Sequence, residues 1–453
     1  MSTNNNDNHI DDSQPATGHA GGPRPSAAGV PYRFSKGSTE MALPLLKSRL
    51  AARPADPQLL LAIARASLQA AQWDDALVHA RQLDVLQPCP EALALIADCL
   101  YHLGDREATE QLLPVIAARG NDEARGLIAL HLIKDRQFAR GFALRSALRE
   151  NRRAAHHPVG RRSDIAWWDG KPFNGTLLVI AEQALGEEIL NSGTLGELIA
   201  AGQHAVVECD PRLIPLFRRS FPALQFVPRF TDELAGIATP DSRKTTASEL
   251  ALFFRHCDDF SNPPRWLRAD PALQAAFCQR YRQQRPGAAL IGISWRSFRP
   301  VWGADRKTVR LTHLQRTLRT PGCEFLSLQY GPVTDDLAAA EAAGLPVPAI
   351  DRSFDPVRDI DTLAAQVSAM DIVVTTSNST AHLAGALGVP TLLMLPGTRG
   401  VFPYWCYDGE QTPWYPSMRI VRGHDDAPDV FDARIAARLS GMIAALPATG
   451  GAA

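Results

Sequence analysis

Two stretches of this chain alternate short apolar, β-branched segments with amphipathic helical segments, and this alternation restricts the possible folds most strongly. The first stretch covers residues 176–227 and the second covers residues 288–396. Strands separated by helices pair in parallel, since each helix carries the chain back to the start of the next strand. We therefore predict an α/β fold with two successive parallel sheets that join near residue 285 and leave a cleft between them.

The length and charge of the chain limit its class. With 453 residues it exceeds one ordinary hydrophobic core, so two or three domains are expected. Hydrophobic residues make up 45% and charged residues 21%, which is typical of a globular protein. The formal net charge of -1 lacks the basic excess of a nucleic-acid-binding protein, so no nucleic-acid partner is expected.

The cysteine content indicates the compartment. The seven cysteines include no close CxxC pair, which argues against a disulfide framework or a zinc site and favours a reducing cytosol. No apolar run approaches the ~20 residues that cross a membrane, and the N-terminus lacks the pattern of a signal peptide. We expect a soluble, cytoplasmic protein that is not transmembrane.

Helical repeats are predicted ahead of the first sheet. Residues 1–36 are rich in Asn, Asp, Ser, Gly and Pro and are predicted to be a disordered tail. Residues 37–155 are predicted to form helical pairs with turns at Trp73, Asp105 and Phe138. These turns are 32 and 33 residues apart, close to the ~34-residue tetratricopeptide (TPR) period, although an irregular helical bundle is an alternative. Stacked pairs leave a groove, so this domain is predicted to recruit a protein partner or to dimerise.

The segment TTSNSTAHLAGALGVP (375–390) follows a strand and begins a helix. Its residues Ser377, Asn378, Ser379 and Thr380 all favour the N-cap position. The free N–H groups of a helix start suit a phosphate, so the segment is either a phosphate site or an ordinary cap. His382 alone is typical of a packing residue. It is five residues from Ser377 and therefore not on the same helix face, which argues against a nucleophile–base pair.

A second candidate is the segment AEQALGEEI (181–189), where Gly186, Glu187 and Glu188 follow the first predicted strand and begin a helix. Acidic residues in a first helical turn complement the helix dipole, which explains both glutamates without a function. The functional alternative is that one carboxylate projects into the cleft as a general base.

A third candidate is the cationic loop that follows the predicted strand ending at Ser294. It carries Arg296, Arg299, Arg306 and Lys307. Cations at the carboxyl end of a strand can neutralise a diphosphate. The alternative is that they are solvated loop charges.

The acidic pair Asp359–Ile360–Asp361 matches the DxD pattern with which some sugar transferases hold a divalent metal. Asp361 immediately precedes a predicted helix, so helix capping explains it better. We therefore predict no catalytic metal.

Taken in order, these segments resemble a known family. Residues 165–445 are similar to the TPR-linked glycosyltransferases related to the bacterial lipopolysaccharide heptosyltransferases (glycosyltransferase family nine, GT-B fold). The resemblance rests on WDGKPFNGTLLVIAEQALGEEI, VVTTSNSTAHLAGALGVPTLLMLP and TPWYPSMRIVR, with ISWRS and LSLQYGP in support. It implies two Rossmann-like domains facing a cleft, an acceptor domain at 156–284 and a donor domain at 285–447, preceded by the TPR-like repeats.

The resemblance also implies a reaction and its residues. The reaction would be an inverting, metal-independent transfer of sugar from a nucleotide-sugar donor to a glycan or protein acceptor, with no cofactor beyond this co-substrate. Glu187 corresponds to the proposed base. The donor-binding residues would be Ser294, Arg296, Lys307, Ser377, Asn378, Ser379, Thr380 and His382, with the helix start on the phosphates and His382 near the phosphate or ribose.

Two departures from the family pattern support an alternative function. The family's Gly-Asp is Gly186–Glu187 here, and an Asp that is common in the phosphate motif is Ser377. Both are compatible with a catalytically impaired scaffold or sugar-nucleotide-binding protein that acts through its repeats. A dinucleotide-dependent oxidoreductase is disfavoured, because no G-x-G-x-x-G follows an early strand.

Overall fold

The computed structural model describes residues 36–146, 148, 157, 159–181, 184–255, 257–297, 307–395, 402–423 and 427–447. The predicted disordered tail, apart from its last residue, lies outside these ranges. So do the loop arginines Arg299 and Arg306.

The described residues from 36 to 146 form seven helices: α1 (Lys36–Ala52), α2 (Pro57–Gln69), α3 (Trp73–Leu86), α4 (Pro90–Leu103), α5 (Arg106–Arg119), α6 (Asp122–Lys134) and α7 (Phe138–Ser146). Their starts are set by side chains: Asp56, Asp105 and Asn121 each accept a hydrogen bond from a backbone N–H of the helix that follows. Gly104 ends α4 in the left-handed conformation, with φ 72°. The predicted helical pairs and their turns are therefore present.

The first sheet has the strand order β1-β5-β2-β3-β4, and all its neighbouring strands are parallel. Its strands are β1 (Ala166–Trp167), β2 (Leu177–Ile180), β3 (Ala205–Cys209), β4 (Gln225–Pro228) and β5 (Arg243–Thr246). Its helices are α8 (Leu185–Asn191), α9 (Leu195–Ala200), α10 (Ile214–Ser220), α11 (Glu233–Ile237) and α12 (Leu250–Phe254). β2 and β3 are buried along their whole length, as expected for strands covered on both faces.

The second sheet has the order β10-β9-β8-β6-β7 and is also parallel throughout. Its strands are β6 (Ala289–Ser294), β7 (Cys323–Ser327), β8 (Ile372–Thr376), β9 (Thr391–Leu395) and β10 (Met418–Arg422). Its helices are α13 (Pro271–Gln284), α14 (Gln315–Leu318), α15 (Thr334–Ala342), α16 (Ile360–Ser368), α17 (Ser379–Ala386) and α18 (Pro428–Ala444). The protein is thus a mixed α/β structure with two parallel sheets, as predicted.

Two strands of the first sheet, β1 and β5, lie outside the stretch at 176–227 from which this sheet was predicted. β5 lies between β1 and β2. Its sequence, RKTT, is polar, but Lys244 is buried and its ammonium donates to the carbonyl oxygens of Gly160 (3.0 Å) and Arg162 (2.7 Å). Because these carbonyls satisfy the charge, a polar segment can form an interior strand.

The helix predicted after β2 is interrupted. A 3-10 turn at Ser192–Thr194 separates α8 from α9. The hydroxyls of Ser192 and Thr194 donate to the backbone carbonyls of Ile189 and Asn191, each at 2.7 Å. Such side-chain bonds compete with the regular helix, which explains the break.

Helices α1–α7, the helical array, share a hydrophobic cluster with both sheet regions through Ile133, Phe138 and Phe142 of α6 and α7. Phe138 of α7 packs against Phe260 and Trp414, with ring centroids 4.7 and 5.2 Å away, so three parts of the chain meet in one aromatic cluster. The two sheet regions are also joined by an ion pair between Arg219 and Asp361. Within the described ranges, no helix is both long and apolar enough to span a membrane.

Candidate active site

The start of α17 is held in place by Asn378. Its Oδ1 accepts a hydrogen bond from the N–H of Ala381 at 3.2 Å. Its Nδ2 donates to Ser294 Oγ (2.8 Å) and to the carbonyl of Arg296 (3.2 Å), which ties the helix start to the end of β6. The amides of the first helical turn thus lie at the carboxyl end of the second sheet, where a helix start carries partial positive charge.

Ser294, the last residue of β6, helps to hold Asn378 in this position. It is fully buried, and its hydroxyl donates to Gln329 Oε1 at 3.1 Å. The same oxygen accepts from the backbone N–H groups of Trp295 and Arg296. Ser294 therefore positions Asn378. Gln329, which accepts all three hydrogen bonds, was not among the predicted site residues.

Ser379 and Thr380 form the first turn of α17. Ser379 is half-buried, whereas Thr380 is buried and its Oγ1 has no hydrogen-bond partner among the described residues. The backbone N–H groups of these two residues have no acceptor within the helix. Together they offer unpaired donors at the helix start.

Ser377 lies immediately before this turn and is covered by an aromatic residue. Its Oγ accepts a hydrogen bond from the indole N–H of Trp405 at 2.8 Å, and both residues are buried. Trp405 was not among the predicted site residues. The only indication in the sequence is the aromatic run that contains Tyr404, Trp405 and Tyr407.

His382 lies in an aromatic cage beneath this segment. Its Nδ1 is 2.6 Å from the hydroxyl of Tyr415, and its ring stacks on Trp405 with centroids 5.4 Å apart. Burial and, to a smaller extent, the nearby charge of Lys307 lower the pKa of His382 to about 3. The imidazole is therefore neutral and packed against rings.

The two sheet regions approach each other closely at Gly186, in the first turn of α8. A Cβ atom placed on Gly186 would lie only 2.7 Å from Cδ2 of His382. Only a glycine permits this contact, so α8 and α17 meet directly. Glu187 follows Gly186 and is half-buried.

Lys307 lies close to both helices. Its carbonyl accepts a hydrogen bond from Thr376 at the end of β8, and its ammonium lies 3.9 Å from the ring centroid of Phe402. Burial lowers the pKa of Lys307 to about 8, and the charge of Glu187 partly offsets this effect. The structure thus brings a carboxylate and an ammonium group together next to the start of α17.

Arg296 is directed elsewhere. Its Nε donates to Asp336 at 2.7 Å, and its Nη2 donates to the carbonyl of Pro332. The guanidinium is therefore engaged with α15 and the loop before it.

The two glutamates of α8 have different surroundings. Glu188 is buried, accepts from Arg229 at 2.6 Å and from the N–H of Asp210 at 2.7 Å, and belongs to an internal network. Burial raises the pKa of Glu188 to about 7 despite these two partners. This buried network was not predicted, and it distinguishes Glu188 from Glu187, which is half-buried and interacts with the charge of Lys307.

The acidic pair near residue 360 serves the fold. Asp359, and not Asp361 as predicted, caps α16 by accepting from the N–H of Thr362 at 2.9 Å. Asp361 instead pairs with Arg219 of α10. Among the described residues, no group of three His, Cys, Asp or Glu side chains is arranged to hold a metal.

A segment of the second sheet region connects this site to the helical array. Tyr407 follows Trp405 by two residues, and its hydroxyl donates to the carbonyl of Tyr101 (2.8 Å) and lies 2.7 Å from His131 Nδ1. Arg106 pairs with the neighbouring Asp408 at 2.8 Å. The turns of the helical array therefore contact the same segment that covers Ser377.

A cavity formed by described residues lies away from this site. Its volume is about 1150 Å³, and it lies beside β10 and α18, near the amino ends of the strands. Its lining includes Arg419, Arg434 and Arg438 but none of the predicted site residues. The residues around α17 are brought together by their mutual contacts and charges, and they do not line this cavity.

Comparisons with known proteins give loose matches, and no protein-family model matches this chain. Protein FlbA of Caulobacter vibrioides is 30% identical over 269 residues, which cover 56% of this chain and 44% of FlbA, so the chain spans less than half of that relative. Among solved structures, a glycosyl transferase of family 9 from Veillonella parvula has a TM-score of 0.43 at 12% identity and covers 62% of this chain and 99% of that one. ADP-heptose heptosyltransferase II of E. coli has a TM-score of 0.38 at 14% identity and covers 58% of this chain and 99% of that one. At these values the likeness does not assign an activity.

Proposed function

We propose that this protein is an inverting, metal-independent glycosyltransferase of GT-B type, which transfers a sugar from a nucleotide-sugar donor to a glycan or protein acceptor. The observation that carries the proposal is the contact of Gly186 with His382. It joins the first turn of α8, with Glu187, to the first turn of α17. A base from one sheet region and an anion-binding helix start from the other then share one cleft.

The donor would be bound through its diphosphate. The N–H groups of Ser379 and Thr380, together with the ammonium of Lys307, provide fixed positive charge. Such charge stabilises a departing nucleoside diphosphate without a metal ion. Ser294, Asn378 and Ser377 would orient the helix start, while His382 would support it from the buried side.

Glu187 would accept the proton of the acceptor hydroxyl as that oxygen attacks the anomeric carbon. The sugar–phosphate bond breaks on the opposite face, and the nucleoside diphosphate leaves with the bonding electrons. Domain closure around the two helices would exclude water and prevent hydrolysis of the donor.

The helical pairs are proposed to be TPR-like and to contact a protein partner. The seven cysteines are all free, which agrees with the proposed cytoplasmic location. No nucleic-acid partner is proposed.

A scaffold or sugar-nucleotide-binding protein with impaired catalysis is the second candidate. Two contacts favour it. Trp405 donates to Ser377 at the position where related sequences often carry an acid, and Arg296 is engaged with Asp336.

Calorimetric titration with a panel of nucleotide sugars and nucleoside diphosphates tests the proposal. Ser379→Trp should block binding by filling the helix start, whereas Ser440→Trp, on the exposed side of α18, should bind like the wild type. Binding without turnover would favour the scaffold. If no nucleotide binds, or if Ser379→Trp binds as well as the wild type, the phosphate site is wrong.

A further inference from the structure

We propose that Tyr407 is a positioning residue of the donor site, through which the helical array holds Trp405 on Ser377 and so fixes the start of α17. This inference rests on the proposed function and changes the predicted role of the array. The helical array would then help to position the donor site, in addition to any role in recruiting a protein partner.

The connection between the helical array and α17 begins at the buried hydroxyl of Tyr407. A phenol has one proton, and Tyr407 donates it to the carbonyl of Tyr101 at 2.8 Å. The hydroxyl oxygen must then accept from His131 Nδ1 at 2.7 Å. Burial lowers the pKa of His131 to about 4, so the ring is neutral and carries its proton on Nδ1.

The ring of Tyr407 is enclosed by the helical array as well. The ammonium of Lys134 lies 4.2 Å from the ring centroid of Tyr407 and 4.5 Å from that of Tyr101, so it makes cation–π contacts with both rings. Gly104 lies so close that a Cβ atom would be 3.1 Å from the Tyr407 ring. The backbone N–H of Tyr407 also donates to the carbonyl of Lys134 at 3.0 Å.

The second contact is the backbone between Tyr407 and Trp405. Cys406 has φ 57° and ψ 171°, a backbone region that is almost exclusive to glycine. Such a conformation persists only when the surrounding structure holds it in place. Arg422 also donates to the carbonyl of Trp405 at 2.7 Å, which holds the segment from the side of β10.

The third contact is the hydrogen bond of Trp405 to Ser377 and its stacking on His382. Both acceptor and ring belong to the start of α17. A displacement of Tyr407 is therefore transmitted through two residues to the amides proposed to bind phosphate. Because Cys406 is strained, loss of the anchor at Tyr407 should let this segment relax.

The test compares Tyr407→Phe, which removes only the hydroxyl, with Leu60→Ala, which destabilises α2 away from the interface. Leu60 is fully buried, so both variants should lower Tm. Two quantities are then measured on folded protein: hydrogen exchange of residues 376–386 and 402–411, and the Kd of the tightest nucleotide of the panel. We expect Tyr407→Phe alone to accelerate exchange in both segments and to raise the Kd by roughly tenfold.

His131 provides the conservative rescue. Asn places a hydrogen-bonding atom near the position of Nδ1, so His131→Asn should behave like the wild type, whereas His131→Leu should behave like Tyr407→Phe. The double variant Tyr407→Phe with His131→Leu should show the same exchange rates and Kd as either single variant, because each of them breaks the same hydrogen bond between Tyr407 and His131.

Equal exchange and equal Kd in Tyr407→Phe and Leu60→Ala would overturn the positioning role. If the wild type binds no nucleotide of the panel, the proposed function fails, and the exchange of residues 376–386 alone still decides whether Tyr407 holds α17.

Discussion

The indole N–H of Trp405 donates to Ser377 Oγ over 2.8 Å, and neither residue is exposed to solvent. This bond joins the aromatic segment of residues 402–407 to the start of α17. It also explains why a small hydroxyl is sufficient at residue 377, since the indole takes up the space and the hydrogen bond next to it.

Replacing Ser377 tests this bond. Ser377→Ala would leave a buried N–H without an acceptor, at a cost of about 1–3 kcal/mol, and should lower Tm. Ser377→Asp keeps an acceptor and places a negative charge at a helix start, so its Tm should be close to that of the wild type. Thermal unfolding followed by circular dichroism distinguishes the two. A wild-type Tm for Ser377→Ala would show that the bond contributes nothing to stability.

Stability should decrease in mild acid because His131 and His382 are buried as neutral rings. Their pKa values lie near 4 and 3 in the folded protein, below the ordinary 6.5. As the pH falls from 7 to 5, the unfolded chain therefore binds protons that the folded protein does not. Each histidine then costs about 2 kcal/mol of stability at pH 5. Glu188 acts in the opposite direction, because its raised pKa of about 7 lets the folded protein bind a proton in this range, and it offsets about 2 kcal/mol of the loss.

Tm measured from pH 7.5 to 5 checks this effect. His131→Asn should show a shallower fall, while His313→Asn, at an exposed position, should keep the slope of the wild type. A His131→Asn protein whose Tm falls as steeply as that of the wild type would contradict the burial of His131 as a neutral ring.

The contact of α8 with α17 can be tested with two helix glycines. Gly186→Ala places a methyl group 2.7 Å from His382, so the helices must separate, and both Tm and nucleotide affinity should decrease. Gly196→Ala has nothing within 4 Å and should be neutral or stabilising by about 0.5–1 kcal/mol. Identical behaviour of the two variants would show that the helices do not meet as described.

Lys307 should make nucleotide binding sensitive to alkaline pH. Its pKa is about 8, so its charge is present at neutral pH and is lost as the pH rises through that value. The Kd of a nucleoside diphosphate, measured from pH 6.5 to 9.5, should therefore increase above pH 8. Lys307→Arg, which keeps its charge over this range, should give a flat profile. A rise of equal size in both proteins would exclude Lys307 as the responsible group.

The sequence was sufficient to predict the regular parts of this fold. The apolar strands, such as β2 and β8, and the helical pairs with turns near Trp73 and Asp105 carry their periodicity locally. β5 could not be predicted, because Lys244 is satisfied by carbonyls of residues about 80 positions away. Asp361 was assigned to capping since its partner, Arg219, is distant in sequence.

The candidate site was predictable only in part, for the same reason. N-cap residue types mark the start of α17, and Asn378 is the cap. The cage around His382, by contrast, is built by Tyr404, Trp405 and Tyr415, which lie more than 20 residues further along the chain. Side chains that are brought together by folding leave no periodic signal in the sequence.

The most direct test of the account is the turnover of Glu187→Gln. The substrate is the nucleotide sugar that binds most tightly in the panel, a mixed glycan extract supplies the acceptor, and release of nucleoside diphosphate is followed. Glu341→Gln, at an exposed position of α15, is the matched control. We predict that Glu187→Gln loses about 10²–10⁴-fold in rate with an unchanged nucleotide Kd, as expected for a general base. A Glu187→Gln protein that turns over as fast as Glu341→Gln would contradict the central claim.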